Sequence, residues 1–358
     1  MVANQAVFSF PIFRTKVEGV RNSFTLSDPI DRARYFEAKA GVDIEKLRDY
    51  LRDNTFVAYL IGKKNSGKGT YTKLFAEAVA PDRVAHISVG DIVRAAQKAL
   101  LDRRQEGELR GYLARTYRGF VDLNSALNAV LNWDVRTPLA TELILALVRR
   151  EIDGLERKAI FVDGFPRDLD QVSYSLYFRD LIGYRDDPDF FVFIDVPRAV
   201  VDERMKTRVI CPRCLTPRSL KLARTKEIGY NAATKAFYLL CDNDGAPMVA
   251  KKGDELGIEA IRARIEADEA VARTLAGLQG VPKVYLRNAI PVAVAREYVD
   301  DYEITPVYRY EWDEPGQKVR VIEEPWVVND DEGTPSYSLL PAPVALALIK
   351  QTTQVLGL

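Results

Sequence analysis

Histidine is nearly missing from this sequence: His86 is the only one in 358 residues. Any mechanism that rests on a histidine pair is therefore excluded. Cysteine is scarce too. Cys211, Cys214 and Cys241 cannot all pair within one chain, and their spacing points to metal rather than disulfides. Net charge is absent, with 51 Lys and Arg against 51 Asp and Glu. Composition thus supplies no electrostatic footprint for nucleic acid or a membrane surface. No apolar run is long enough to span a bilayer. The N-terminus lacks a charged start followed by an apolar core, so no secretory signal is expected. These absences leave the expectation of a cytoplasmic, enzyme-like protein without nucleic-acid or membrane partners. An apolar content of 47% and a charged content of 28% are ordinary for a globular chain. The length allows one sizeable domain plus smaller ones.

What the sequence does contain is a phosphate-binding pattern. An apolar strand, Phe56 to Ile61, ends at Gly62 and is followed by Lys63–Lys64–Asn65–Ser66–Gly67–Lys68–Gly69–Thr70. An amphipathic stretch, Thr70 to Val79, then reads as a helix. Loop N–H groups, the helix N-terminus and the Lys68 ammonium together suit a phosphate chain. Gly62, Gly67 and Gly69 tolerate unusual dihedrals, and Asn65 is among the better non-glycine residues for a left-handed position. The plainer alternative is a glycine-rich turn with a solvated lysine.

Upstream, two helices are expected near Asp28–Ala40 and Asp43–Asp53, the first capped by Asp28 with Pro29 behind it. They read as an added element packed on the core. Downstream, a short strand containing His86 turns at Gly90–Asp91 into a helix carrying Arg94. A strand histidine reads as structural. Residues 95–137 are helical in pattern, with Arg103, Arg104, Arg110, Arg115 and Arg118 read mainly as a solvated face. A helix over Leu139–Ile152 precedes the buried strand Ala159–Val162, which ends in Asp163–Gly164–Phe165–Pro166–Arg167 and reaches Gln171. An acid at that strand end can hold magnesium through water. A further strand, Phe190–Ile194, leads to Asp195–Val196–Pro197. Strands alternating with helices predict an α/β fold, a three-layer parallel sheet with helices on both faces. After Ile258–Arg273, read as a long helix, Thr305–Tyr310 and Lys318–Ile322 predict a hairpin. Trp326–Val328 follows as a strand and Pro341–Val355 as the closing helix.

Four landmarks in this order resemble the adenylate kinases, a family of nucleoside monophosphate kinases. They are the Gly62–Thr70 loop, Ser88–Val89–Gly90–Asp91 with Arg94, Asp163–Arg167 with Gln171, and Asp195–Val196–Pro197 followed by Arg204 and Arg208. The resemblance is close over roughly residues 55–280 and looser elsewhere. It implies reversible Mg-dependent transfer of a phosphoryl group from ATP to AMP, giving two ADP. By that resemblance Gly62, Asn65, Ser66, Gly67, Lys68, Gly69, Thr70, Arg204 and Arg208 bind ATP. Ser88, Arg94, Gly164, Arg167, Gln171, Lys252 and Arg264 serve AMP. Lys68, Asp163, Arg167, Arg208 and Arg264 support the transfer itself, with Asp163 on Mg2+. Arginine suits these places because its planar fork binds phosphate oxygens in pairs. A monomer is expected. Other readings are a UMP or CMP kinase, or an inactive nucleotide-binding adaptor.

The resemblance divides the chain into an N-terminal extension (1–54), a core (55–207) holding an acceptor-binding insertion near 88–150, a lid (208–256), and a core completion with C-terminal extension (257–358). In the lid, Cys211–Pro212–Arg213–Cys214 and Cys241–Asp242–Asn243–Asp244 bracket a β-rich segment. Three thiolates and the Asp244 carboxylate can complete a tetrahedral structural Zn2+ site, which would supply folding energy to a small lid. The alternative is a metal-free lid with three reduced thiols. Several positions depart from the family pattern. Lys64 and Asn65 stand for its usual proline and glycine, Val89 and Asp168 for threonines, and Lys252 for an arginine. The C-terminal segment is longer than the family needs.

Overall fold

The computed structural model describes residues 10–20, 23–133, 139–251 and 253–358. Helix α1 (Pro29–Asp53) starts where the Asp28 side chain accepts hydrogen bonds from the N–H groups of Ile30 and Asp31, with Pro29 at its first position. The two helices expected here are one element, kinked at Ala40 (φ −147°, ψ 20°). Strand β1 (Val57–Gly62), helix α2 (Lys68–Ala78), strand β2 (Val84–Ser88) and helix α3 (Val89–Leu101) follow. Helices α4 (Arg103–Thr116), α5 (Leu123–Leu131) and α6 (Thr141–Asp153) gather around α3. Strand β3 (Ala159–Asp163), short helices α7 (Asp170–Ser175) and α8 (Phe178–Leu181), β4 (Asp189–Asp195) and α9 (Arg198–Lys206) lead to the expected lid. That segment holds β5 (Arg208–Ile210), β6 (Pro217–Ser219), β7 (Ile228–Asn231), β8 (Ala236–Leu239) and β9 (Val249–Ala250). Helix α10 (Arg262–Ala276), β10 (Lys283–Arg287), β11 (Ile290–Pro291) and α11 (Ala295–Tyr298) return to the core. Strands β12 (Pro306–Asp313), β13 (Lys318–Pro325), β14 (Val327–Asn329) and β15 (Pro335–Tyr337) precede α12 (Pro341–Val355).

The central sheet has five parallel strands in the order β10–β4–β1–β3–β2. Its three inner strands, β4, β1 and β3, are buried on both faces, as a sheet covered on both sides requires, while the edge strands β2 and β10 are only partly buried. Alternation sorts the side chains: Ala58, Leu60, Phe161, Phe190 and Val192 join one core with α1, α2 and α12. Val57, Tyr59, Ile160, Val162 and Phe191 join the other with α3 to α6 and α10. Every parallel strand therefore delivers its C-terminal end to the same edge, where Gly62, Ser88, Asp163 and Asp195 lie.

The N-terminal and C-terminal additions fold together. Lys39 of α1 is fully buried and reaches Glu303 at 2.8 Å and Asp300 at 2.7 Å. The Glu303 carboxylate, also fully buried, accepts from the Tyr35 hydroxyl (2.5 Å), the Thr15 hydroxyl (2.6 Å) and the Asp300 N–H (2.7 Å). The Lys39 ammonium lies 5.0 Å over the Tyr35 ring and 5.4 Å over that of Tyr302. Packing is thus the observed role of the early helix, as its sequence suggested.

Candidate active site

The loop between β1 and α2 takes its shape from two positions. Asn65 has φ +65° and Gly67 φ +98°. The first is an L residue that tolerates the left-handed region; the second also packs on Tyr71, whose ring lies 2.7 Å from where a Cβ would stand. Gly62 and Gly69 differ from expectation because neither takes a positive φ. Gly62 is needed for close approach, since a Cβ there would sit 2.6 Å from the Ile194 carbonyl oxygen. Gly69 lies inside α2.

Lys68 opens α2, and its ammonium donates to the carbonyls of Gly62 (2.8 Å) and Lys63 (3.1 Å). Asp163 Oδ1, at the end of β3, is 3.7 Å away. Lys63 turns the other way and is buried. It donates to the Val196 carbonyl (2.8 Å) and Asp331 Oδ2 (2.7 Å), with Asp195 Oδ1 at 3.5 Å. Ser66 is fully buried, and among the described residues its hydroxyl has no hydrogen-bond partner.

This loop forms the floor of a cavity of about 770 Å³, in the upper part of the range for small-molecule sites. Among the described residues, nine Lys or Arg side chains line it against two carboxylates, Asp91 and Asp163. So strong an imbalance in a chain of zero net charge selects an anion of several charges. Lys64, which stands where the family pattern has proline, is one of the nine. Burial lowers its pKa first, and the neighbouring Arg264, Lys251 and Arg208 lower it further. Among the described residues it forms no ion pair.

No family model matches the chain. Individual relatives do. An adenylate kinase of Clostridium acetobutylicum is 26% identical over 247 residues, covering 64% of this chain and 97% of the relative. One of Exiguobacterium sibiricum is 28% identical over 231 residues, 64% of this chain and 88% of the relative. One of Hydrogenobaculum sp. is 23% identical over 215 residues, 60% of this chain and 83% of the relative. Each of these relatives is an adenylate kinase, and the similarity extends over 60–64% of this chain.

The family's landmark residues are brought together to differing degrees. Asn65, Ser66, Gly67, Lys68, Gly69, Thr70, Ser88, Arg94, Asp163, Gly164, Arg167, Arg204, Arg208 and Arg264 all line the one cavity. Gly62 lies just behind the loop. Arg208 NH1 donates to Asn65 Oδ1 (3.1 Å), and the same guanidinium pairs with Asp254 at 2.6 Å. Asn65 therefore links the loop to the start of the lid. Arg264 lies 3.5 Å from Asp268, a carboxyl that burial pushes above its ordinary value. Arg94 pairs with Asp91 one turn back on α3, which Ser88 caps. Gly164, at φ +87°, lets the chain turn past Val89.

Gln171 departs from its expected place. Its side chain is buried, its amide oxygen accepts from the Arg167 N–H at 2.9 Å, and it does not line the cavity. Asp168 explains itself locally by accepting from the Gln171 N–H (3.0 Å) at the start of α7. Lys252 lies outside the described residues. His86, read as structural, lines the cavity 3.9 Å from Asp163 Oδ2; burial lowers its pKa, which favours the neutral ring. The arginine series Arg103, Arg104, Arg110, Arg115 and Arg118 stays off the cavity. Arg104 and Arg110 instead pair with Glu108 and Glu106 along α4.

In the lid, one ligand atom from each of Cys211, Cys214, Cys241 and Asp244 lies within 4.8 Å of every other. The N–H groups of Arg213 and Cys214 both point at Cys211 Sγ at 3.4 Å. A hydrogen bond with the Thr216 hydroxyl, supported by its backbone and by Asn243, pulls the Cys214 thiol down to about 6. The Asn243 N–H lowers the Cys241 thiol, but desolvation and the neighbouring Cys214 and Cys211 push it up to about 11. Of these two, Cys214 is therefore the more ready thiolate, the form that binds metal. The set fits a tetrahedral zinc site in type and number. Among the described residues no helix is long and apolar enough to cross a membrane.

Proposed function

We propose that this chain transfers a phosphoryl group between MgATP and AMP, giving two ADP, and that the transfer is reversible. The observation that carries the reading is one cavity with a lysine phosphate loop on its floor and arginines converging on it from several elements. Arg94 comes from α3, Arg167 from the β3–α7 turn, Arg204 from α9, Arg208 from β5 and Arg264 from α10. Phosphoryl transfer needs little covalent chemistry from the protein, so positioning and charge neutralisation do most of the work. Lys68 sits where it can leave two backbone carbonyls for phosphate oxygens. Lys64 adds a cation the family pattern does not have. Arg94 and Arg167 clamp the acceptor phosphate, and Arg208 and Arg264 close on the transferring group as the lid comes down and expels water.

Asp163 fits a water-mediated hold on Mg2+, which would neutralise donor phosphate charge when bound. Cys211, Cys214, Cys241 and Asp244 fit a structural zinc ion. A second reading, a UMP or CMP acceptor, is favoured by one observation: Gln171, the expected adenine reader, is engaged by the Arg167 backbone, while Val89 lines the cavity. An acceptor panel separates the two. AMP turning over well above CMP and UMP supports the adenylate reading, and the reverse order replaces it.

A further inference from the structure

The hairpin β12–β13 of the longer C-terminal segment does not itself line the cavity, yet it bonds directly to the lid. The Tyr308 N–H donates to the Lys221 carbonyl at 2.8 Å, and the Tyr310 hydroxyl donates to the Leu220 carbonyl at 2.6 Å. Trp312 stacks on Tyr230 of β7, with ring centroids 4.5 Å apart and planes 14° from parallel. Tyr310 lies 5.7 Å from Phe237 of β8, and the Arg224 guanidinium lies 5.4 Å over the Tyr308 ring. By contrast the lid's own apolar cluster contains only Cys211, Leu239, Cys241, Ala246 and Met248 as buried members.

The gripped segment is a wall of the cavity. Ser219, Leu222 and Ala223 line it from the lid, while Thr305, next to the first residue of β12, and Leu340 line it from the core. Thr305 is buried and donates its N–H to the Ser338 carbonyl at 2.8 Å. The hairpin is thus rooted in the core at one end and bonded to the lid along its length. We propose that Tyr308 and Tyr310 are positioning residues that hold lid residues 219–223 as the donor-nucleotide wall, with Trp312 fixing the neighbouring strand β7 through Tyr230. The proposal rests on the kinase reading for which end of the cavity takes ATP. The acceptor side is built by Ser88, Arg94 and Gly164, from α3 and the β3–α7 turn, which the described hairpin contacts do not reach.

Equilibrium titration tests this without requiring turnover. MgATP and AMP are bound separately, by calorimetry, to the full chain and to Trp312→Ala, Tyr310→Phe and Trp312→Phe. The expected result is a three- to tenfold weaker ATP affinity in Trp312→Ala and a smaller loss in Tyr310→Phe, with AMP affinity within twofold of the parent. Trp312→Phe keeps an aromatic face on Tyr230 and recovers most of the loss. Hydrogen exchange at residues 217–231 speeds up in step with the ATP effect. Tyr310→Phe removes only a hydroxyl, so it remains informative if Trp312→Ala does not fold. Unchanged ATP affinity, or equal losses for ATP and AMP, overturns the proposal. Absence of ADP formation by the parent would instead overturn the kinase reading, and the two titrations would still report on the hairpin.

Discussion

Replacing Lys39 by methionine isolates the tie between the two terminal additions. The substitution keeps nearly the same shape and removes only the cation. It leaves Glu303, a fully buried carboxylate, without its counter-charge and with Asp300 close by. Breaking one partner of a buried pair typically costs about 3–5 kcal/mol. Here the Tyr35 and Thr15 hydroxyls and the Asp300 N–H remain as donors to Glu303, so the cost should fall near 3 kcal/mol on that scale. At about 2–4 °C per kcal/mol for larger domains, the melting temperature drops by roughly 6–12 °C. Thermal and guanidinium melts of Lys39→Met, Glu303→Gln and the double variant measure it. Making Glu303 neutral in the Lys39→Met background should recover part of the loss, because the uncompensated charge is gone. A Lys39→Met cost below about 1 kcal/mol, the level of a surface pair, or a double variant no better than Lys39→Met, refutes the reasoning.

Two further outcomes follow from the site. Purified protein should carry about one zinc per chain; chelation, or Cys211→Ser, should speed hydrogen exchange over residues 208–256 and lower the melting temperature. Protein without zinc, or indifferent to its removal, would contradict the ligand set. Lys64→Gln should lower kcat/KM for ATP severalfold at neutral pH. Its pKa lies below the ordinary lysine value of 10.5, chiefly through burial, so the ammonium is present at lower pH and lost as pH rises through that lowered value. The alkaline fall in kcat/KM should therefore begin earlier than for an exposed lysine and flatten in Lys64→Gln; an unchanged alkaline limb would remove Lys64 from the site.

The sequence revealed much of this molecule where the signal is local. The loop from Gly62 to Thr70, the acid ending β3 and the Asp28 cap are each written within a few residues, and each occupies the element expected of it. The inner strands β1, β3 and β4 were legible because strands buried on both faces are continuous apolar runs. The edge strand β10, Lys283–Val284–Tyr285–Leu286–Arg287 with alternating burial, has no such run and is not read as a strand from the sequence. Long-range contacts were not legible. Gly62 is required by the Ile194 carbonyl across the sheet, and nothing adjacent to Gly62 announces that. Lys39 reads as an ordinary helix-surface charge until Glu303, 264 residues away, is brought against it. Lys63 and Lys64 are neighbours in one loop, yet one turns inward to Asp331 and the other faces the cavity. The hairpin was visible as a hairpin, but its alternating aromatic residues do not name the lid strands they meet. Gln171 was assigned by analogy, and its inward turn goes with the hydrogen bond its amide oxygen accepts from the Arg167 N–H four residues earlier.

In the proposed function Lys68 and its surroundings move a phosphoryl group between two nucleotides in one cavity. Coupled measurement of ADP formation from MgATP with AMP, CMP or UMP tests it most directly, run on the parent and on Lys68→Met. The expected result is ADP formation with AMP as the best acceptor and a loss of at least about a hundredfold in Lys68→Met, the scale of losing one charge-stabilising group. A parent indistinguishable from Lys68→Met would contradict it.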